Sequence, residues 1–519
     1  MPDPNSTNML PSVHLFKVPE SVRSGSLGQV FRELDHVLEK YEAVIGLEVH
    51  CQLATQSKLF SAVRNISSAE QAFGDCSNNR EVQPNLFIDE VSLALPGTLP
   101  VLNEQSVRLA IRMGLAVGAN VENVSVFTRK NYFYPDLPKG YQITQYDRPI
   151  CTGGSVQLSN GRLVKINRIQ LEEDAGKTVH GDADSFVDFN RAGVGLIEIV
   201  SEPCLQSPFE ASEYLKRLHR LAVFYGVSDG DLERGNFRAD ANVSIRLRGS
   251  KQLETRTELK NINSFRFLER AIAHEILRQV ECKESGQAIV LETRGYDSER
   301  DITFSQRSKE TAQDYRYFPD PDLPPLVVSA VSIDAERLAF PEQAFQAYDR
   351  LVTMLAISET EAAFISETAA RLKSFQSIVD RCTHASPRAV AGFFCYVMIN
   401  VPSGIDDAQT GWVAAALDAV ARDVISPKTL KSHFFAALAS GLSMEDWAKR
   451  EGLLQVAGDD EVAELAQTLL NEFPEQAKEL ASGKEKIVTF FVGQAMKRTQ
   501  GAISPIVFTV ALKNLIKKE

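Results

Sequence analysis

A chain of 519 residues is too long for one core, so two to four domains are expected. Its formal charge of −12 at pH 7 excludes a general coat of positive charge for nucleic acid, and any polyanion contact has to be local. Seven scattered cysteines (Cys51, Cys76, Cys151, Cys204, Cys282, Cys382 and Cys395), odd in number and without a CxxC pair, read as free thiols in a reducing compartment. No apolar run approaches the roughly 20 residues of a membrane span, and Met1 to Lys40 has neither a signal-peptide core nor transit-peptide character, so a cytoplasmic protein without a membrane partner is expected.

Residues 1–40 mix Pro, Ser and charge and close on a short helical pattern (Val30, Leu34, Val37, Leu38), which reads as an extension. From Tyr41 to about Leu326, alternating strands and Gly-containing turns dominate, ending in the proline-heavy stretch Phe318 to Pro325, where missing donors stop helices and central strands alike. Beyond it, apolar residues recur at helical spacing, as in Val462, Leu465, Ala466, Leu469 and Phe473. The expected class is α+β, with a β-rich domain over 41–330, a helical domain over 331–457 and a small helical tail over 458–519. From Lys484 onward, seven basic residues stand against Glu485 and Glu519. Lys497, Arg498 and Lys513 on that tail are candidate polyanion contacts; a solvated helix face accounts for the same charge.

In Ala43 to Leu53 the odd positions are all apolar, while the even ones include Glu48 and His50. Side chains at i and i+2 share a face of a strand, so Glu48 and His50 stand together and can converge on one ion. The alternative is an ordinary wet face. Glu172, Glu173 and Asp174 form a run of mutually repelling carboxylates, which a cation offsets, whether a metal or neighbouring Lys and Arg. Gly176, Lys177 and Thr178 do not make a phosphate loop, since the required first glycine falls on Leu171. A third strand, Phe237 to Ile245, offers Arg238, Asp240, Asn242 and Ser244 on one side, and Asp188 and Asn190 share a face near Arg191 and Glu198. Strands that keep polar faces together can form a cleft for metal, phosphate and carboxylate.

The stretches VIGLEVH (44–50), LPGTLPVLN (95–103), RKNYFYPD (129–136), YQITQY (141–146), LEEDAGK (171–177), VDFNR (187–191), LIEIVSEP (196–203), LKNINSF (259–265) and DYRYFPDPD (314–322) run in order along the chain. With them the sequence resembles the B subunit of the aspartyl/glutamyl-tRNA amidotransferases, related to the archaeal E subunit. FVGQAMK (491–497) resembles that family's YqeY-like tail. The resemblance implies a kinase-like cradle in the first domain, a tRNA-binding tail, and phosphorylation by ATP of the side-chain carboxylate of Glu or Asp on mischarged tRNA(Gln) or tRNA(Asn). Ammonia from an amidase (A) subunit would displace the phosphate, with a small C subunit tying the two together. It further implies that Glu48, His50 and one or both of Glu172 and Glu173 hold Mg²⁺. Lys130, Arg191 and Arg238 become candidates for phosphate or carboxylate contacts, with Asp188, Asn190, Glu198 and Asp240 lining the cradle. For the arginines, pairing with those acids is the other reading.

One departure stands out. Relatives with a four-cysteine zinc knuckle carry thiolates where this chain has Ser61, Val63, Asp89 and Ser92, and Cys76 lies alone between them. Four ligands make a tetrahedral zinc site, so no structural zinc is expected, and the loop is expected to be held by packing. A tRNA-binding scaffold without kinase chemistry is the competing reading, disfavoured by keeping Glu48, His50, Glu172, Glu173 and Asp188 together.

Overall fold

The computed structural model describes residues 26–65, 83–181, 183–262, 264–308, 313–339, 344–401, 404–454, 459–481, 484, 486–499, 503 and 505–516. Most of the N-terminal extension (1–25), Cys76, Glu485, Lys517, Lys518, Glu519 and the expected boundary at 457/458 lie outside them. The chain divides into two compact units, 1–343 and 344–519.

In the first unit α1 (Ser26–Val37) leads into β1 (Tyr41–Gln52), followed by α2 (Glu104–Ala116) and short strands β2 (Asn120–Val121), β3 (Val124–Ser125), β4 (Thr128–Asn131), β5 (Tyr141–Thr144), β6 (Cys151–Thr152) and β7 (Ser155–Gln157). Then come β8 (Leu163–Glu173), β9 (Lys177–His180), β10 (Ser185–Asp188), β11 (Gly195–Ser201), α3 (Pro208–Phe224), β12 (Phe237–Leu247), β13 (Thr257–Ile262) and α4 (Phe265–Glu284). The unit closes with β14 (Glu292–Asp297), β15 (Ile302–Ser308), β16 (Phe318–Pro319), β17 (Leu326–Val327) and α5 (Ala330–Ala339). Ten strands form one sheet in the order β15-β14-β13-β12-β1-β11-β8-β6-β2, with β7 on β8. Only β13 and β14 pair in parallel among the described strands.

The alternation in β1 explains its place at the centre. Ala43, Ile45, Leu47, Val49 and Cys51 are buried to within 1%, and α3 and α4 pack on that side, on β1 and β12. Each such Ile, Leu or Val contributes about 1.5–3 kcal/mol by leaving water. The even positions are left to the opposite face, where registers match Glu48 with Asp240, and His50 with both Glu198 and Arg238. Over β8 on this side lies the separate small sheet β16-β4-β5.

The first unit runs past the proline stretch because α5 is fastened back to α2. Glu336, 2% exposed, accepts from Arg108 Nε at 2.7 Å and Arg112 Nε at 2.9 Å. The second unit is helical from Ala344 to Ile516 among the described residues. Its helix Asp407–Ala421 starts on a reciprocal cap between Asp406 and Gln409. Its last helices bury a core of Val462, Ala466, Leu469, Phe491, Phe508 and Leu512.

Candidate active site

His50 on β1, Glu172 on β8 and Glu198 on β11 each direct one ligand atom into a common point, all within 4.8 Å of one another. The register does this: His50 lies opposite Glu198, and Glu198 opposite Gln170, two residues from Glu172 on the same face of β8. Three strands thereby stack an imidazole and two carboxylates. Atoms on opposite sides of one Mg²⁺ stand about 4.2 Å apart, so a small rotamer adjustment closes the set on a hard cation. His50 Nδ1 is buried without a hydrogen-bond partner, and burial, followed by the charges of Arg238, Lys260 and Lys130, holds the imidazole well below its usual pKa. It is therefore neutral and offers a lone pair. Burial and the neighbouring Glu172 and Glu48 carboxylates push the Glu198 carboxyl up to about 8, against the opposing charges of Lys130 and Arg168.

The carboxylates are held in place. Gln170 Nε2 donates to Glu198 Oε2 at 2.6 Å and to Glu172 Oε2 at 3.3 Å, and Thr144 Oγ1 donates to Glu172 Oε2 at 2.8 Å. Arg168 Nε donates to Gln170 Oε1 at 2.8 Å, which fixes the amide with its NH₂ toward the acids. Glu48 sits one step along β1 and accepts from Asn242 Nδ2 at 2.9 Å, while Asp240 pairs with Lys260 at 3.5 Å. On the other side Lys130 brings its ammonium near Glu172 and Glu198. Burial opposes its charge, yet these acids and the nearby tyrosines carry its pKa well above the usual value. Its Nζ lies 4.9 Å from the Tyr315 ring centroid and 5.9 Å from that of Tyr132. It forms no ion pair within 4 Å among the described residues, leaving a cation available to an anion.

Comparison with known proteins points the same way. The family profile described as the GatB/GatE catalytic domain matches residues 43–334, and one described as the GatB domain matches 404–516. The chain belongs to the GatB/GatE family. It is 42% identical over 479 residues to the B subunit of the aspartyl/glutamyl-tRNA(Asn/Gln) amidotransferase from Nitratidesulfovibrio vulgaris (strain DP4), covering 90% of this chain and 98% of that one. It is 40% identical to the protein of the same name from Thermodesulfovibrio yellowstonii over 489 residues, 92% of this chain and 100% of the relative. A third, from Legionella pneumophila (strain Lens), is 40% identical over 487 residues, 91% and 99% of the two chains.

In this GatB/GatE chain the other residues singled out from sequence have different neighbours. Glu173 is not in the cluster: Lys139 takes its carboxylate, and Ile143 N donates to it at 2.9 Å. Arg238 is bound to Asp174 through two hydrogen bonds of 3.1 and 3.2 Å, and Arg191 Nε lies 3.7 Å from the same acid while bonding the carbonyls of Ala175 and Gly176. Both guanidiniums are thus engaged by a carboxylate that stood out in the sequence only as part of an acidic run. Asp188 ends β10, which among the described strands pairs only with β9 in a two-stranded ribbon, and Asn190 follows just beyond it. Asp188 accepts from Asn85 N, and Asn190 accepts from Phe87 N and donates to Gln83 O, so both clasp the segment 83–87. Gly176 is glycine for proximity: a Cβ there would come within 2.8 Å of Asp188 O. Lys497, Arg498 and Lys513 are exposed in the second unit, and Arg498 pairs with Glu472 at 2.7 Å.

Polar contacts fasten the described ends of the loop that carries Ser61, Val63, Asp89 and Ser92. Lys58, fully buried, donates to Ser92 Oγ at 3.3 Å and Phe189 O at 3.4 Å, and Asp89 Oδ1 accepts from Ser92 N at 2.7 Å. Burial pushes the Lys58 ammonium down to about 8. Gln170, Thr144 and Lys260 are site residues that reasoning from sequence passed over. Gln170 was findable, since it lies two positions before Glu172 on the same strand face.

Proposed function

We propose that this chain uses ATP to phosphorylate the side-chain carboxylate of Glu or Asp carried by tRNA(Gln) or tRNA(Asn), and that ammonia from an amidase partner converts the acyl phosphate to Gln-tRNA or Asn-tRNA. The observation that carries the reading is the meeting of three strands at His50, Glu172 and Glu198, with an orphaned imidazole nitrogen and Lys130 beside them. These three ligands would hold Mg²⁺, with Glu48 close by; the bound ion would neutralise phosphate charge during transfer. Glu173, engaged by Lys139, drops out of the proposed ligand set.

In the proposed reaction a carboxylate oxygen attacks the γ-phosphorus while the bond to ADP breaks. Ammonia then attacks the acyl carbon, the bond to phosphate breaks, and the nitrogen sheds a proton. Lys130 would hold the anionic group entering the cleft, and Gln170 and Thr144 would keep Glu198 and Glu172 aimed inward. His50 stays neutral, since a proton there would repel the ion. Arg191 and Arg238 act by holding Asp174, and Asp188 and Asn190 by holding the 83–87 loop.

The partners in this reading are the A and C subunits of the amidotransferase and the mischarged tRNA, with Lys497, Arg498 and Lys513 touching RNA phosphates and a cytoplasmic setting alongside translation. A structural zinc forms no part of it, because Ser61, Val63, Asp89 and Ser92 bring no thiolate. The test is the assembled complex carrying His50→Ala or Glu172→Gln, given mischarged tRNA and γ-labelled ATP. A drop of at least 100-fold in phosphoryl transfer is expected; near-normal transfer in both variants would defeat the assignment.

A further inference from the structure

Beside the cluster the first unit carries a wall of tyrosines whose rings serve no core. Tyr146 and Tyr317 lie 4.1 Å apart with planes only 7° from parallel, whereas Tyr315 meets Tyr317, and Tyr132 meets Tyr315, edge to face. Aromatic pairs prefer offset or edge-to-face contacts. Tyr146, one ring of this near-parallel pair, is 37% exposed, so the stack is reachable from solvent.

The chain holds these rings close to the charged groups. Residues 315–322 form a strap laid against β4: Asn131 N donates to Tyr315 O at 3.0 Å, and Asn131 Nδ2 to Arg316 O at 2.9 Å. Arg129 clamps its far end through Asp320 at 2.8 Å and Asp322 at 2.9 Å. Arg316, between the two tyrosines, has φ of +46°, a left-handed conformation that a side-chain-bearing residue adopts at a cost. Tyr317 is near enough to Lys130, Glu172 and Glu198 to feel all three charges. Opposite the strap, Tyr146 follows β5 two residues after Thr144, the partner of Glu172. Lys130, Tyr315, Tyr317 and Tyr146 thus form one continuous run of contacts from cation to partly exposed ring.

We infer that the solvent-reachable side of the Tyr146–Tyr317 stack is a nucleobase subsite. An ammonium beside paired carboxylates receives the phosphates of a nucleotide, and a partly exposed tyrosine joined to it through ring contacts receives the base, because every base presents a π-face. This inference rests on the phosphoryl-transfer reading of the same cleft. Two substrates of that reaction carry such a base, ATP and the terminal nucleotide of the tRNA, and the shared chemistry is base stacking on a tyrosine.

The experiment uses the assembled complex with Tyr146→Leu and Tyr146→Phe, titrated with ATP and with inorganic tripolyphosphate, alongside KM for mischarged tRNA. Loss of the ring is expected to weaken one base-bearing substrate by about 5- to 150-fold, while tripolyphosphate binding is unchanged and Tyr146→Phe stays within about twofold. Weakened ATP binding assigns the subsite to the nucleotide, and a raised tRNA KM with unchanged ATP binding assigns it to the tRNA end. Unchanged values for both substrates overturn the inference, as does equal weakening of ATP and tripolyphosphate. If Tyr146→Leu does not assemble, the fluorescence of Tyr146→Trp decides: quenching by ATP or by tRNA supports the subsite, and no quenching by either overturns it. Wild-type complex that binds neither ATP nor tripolyphosphate overturns the phosphoryl-transfer reading itself, a failure distinct from that of the subsite.

Discussion

Replacing Arg238 by Met tests whether this guanidinium belongs to the fold or to the phosphate. Arg238 gives Asp174 two hydrogen bonds of 3.1 and 3.2 Å, and the Asp174 side chain is 6% exposed. Removing one member of a buried pair costs about 3–5 kcal/mol, because the remaining charge is stranded. Arg191 at 3.7 Å keeps part of the attraction and Ala175 N keeps its bond at 3.0 Å, so about 2–4 kcal/mol is expected. Burial alone would raise the Asp174 carboxyl, but Arg238 and Arg191 outweigh it and hold it low. Its stabilisation is therefore present above the unfolded carboxylate range near pH 4 and lost as pH falls through the lower folded value. The variant should show less of this acid dependence. Both tryptophans, Trp412 and Trp447, lie in the second unit, so the assay is hydrogen exchange of the β12 amides in the full-length chain. Asp174→Asn made with Arg238→Met should recover much of the loss. A change below about 0.5 kcal/mol in amide opening, with no coupling to Asp174, would refute the reasoning and return Arg238 to the phosphate.

Gln170→Leu should weaken Mn²⁺ binding, followed by paramagnetic resonance, by about 10- to 100-fold, the usual effect of removing a partner that orients metal ligands; affinity within twofold of wild type would show that Glu172 and Glu198 need no such support. In the second unit Asp418 accepts from Thr383 N and Oγ1 at 2.7 Å and from His384 N and Ala385 N at 2.8 Å. Burial opposes its charge, yet these bonds hold its carboxyl low, so its stabilisation fades as pH falls below the ordinary Asp range. Asp418→Asn should cost about 1–3 kcal/mol at neutral pH, read from tryptophan fluorescence in urea, and little at strongly acid pH; equal losses at both would contradict the charge-assisted account.

The period-2 pattern of β1 made Glu48 and His50 legible, since one face had to be buried and the other had to carry them. The same rule could not show that Asp188 and Asn190 clasp the segment 83–87: alternation tells which side of a strand a residue occupies, not to which sheet the strand belongs, and β10 joins a ribbon with β9. The run Glu172, Glu173, Asp174 was legible as a need for cations. Its division among the cluster, Lys139 and the two arginines depended on Thr144, Lys139, Arg191 and Arg238, 17 to 64 residues away. Lys58 was illegible as a loop fastener because a lysine in a turn looks solvated until Ser92 and Phe189 fold over it.

β1 is made early, yet its two edges pair with residues 196–200 and Leu205 on one side and 237–247 on the other. While the polypeptide is still emerging from the ribosome, this buried central strand has no strand neighbour until some 150 further residues have been translated. Pairings this remote close slowly and leave sticky intermediates. Nascent chains truncated before Leu247 should depend on chaperones, and a release point just beyond it marks where that dependence ends.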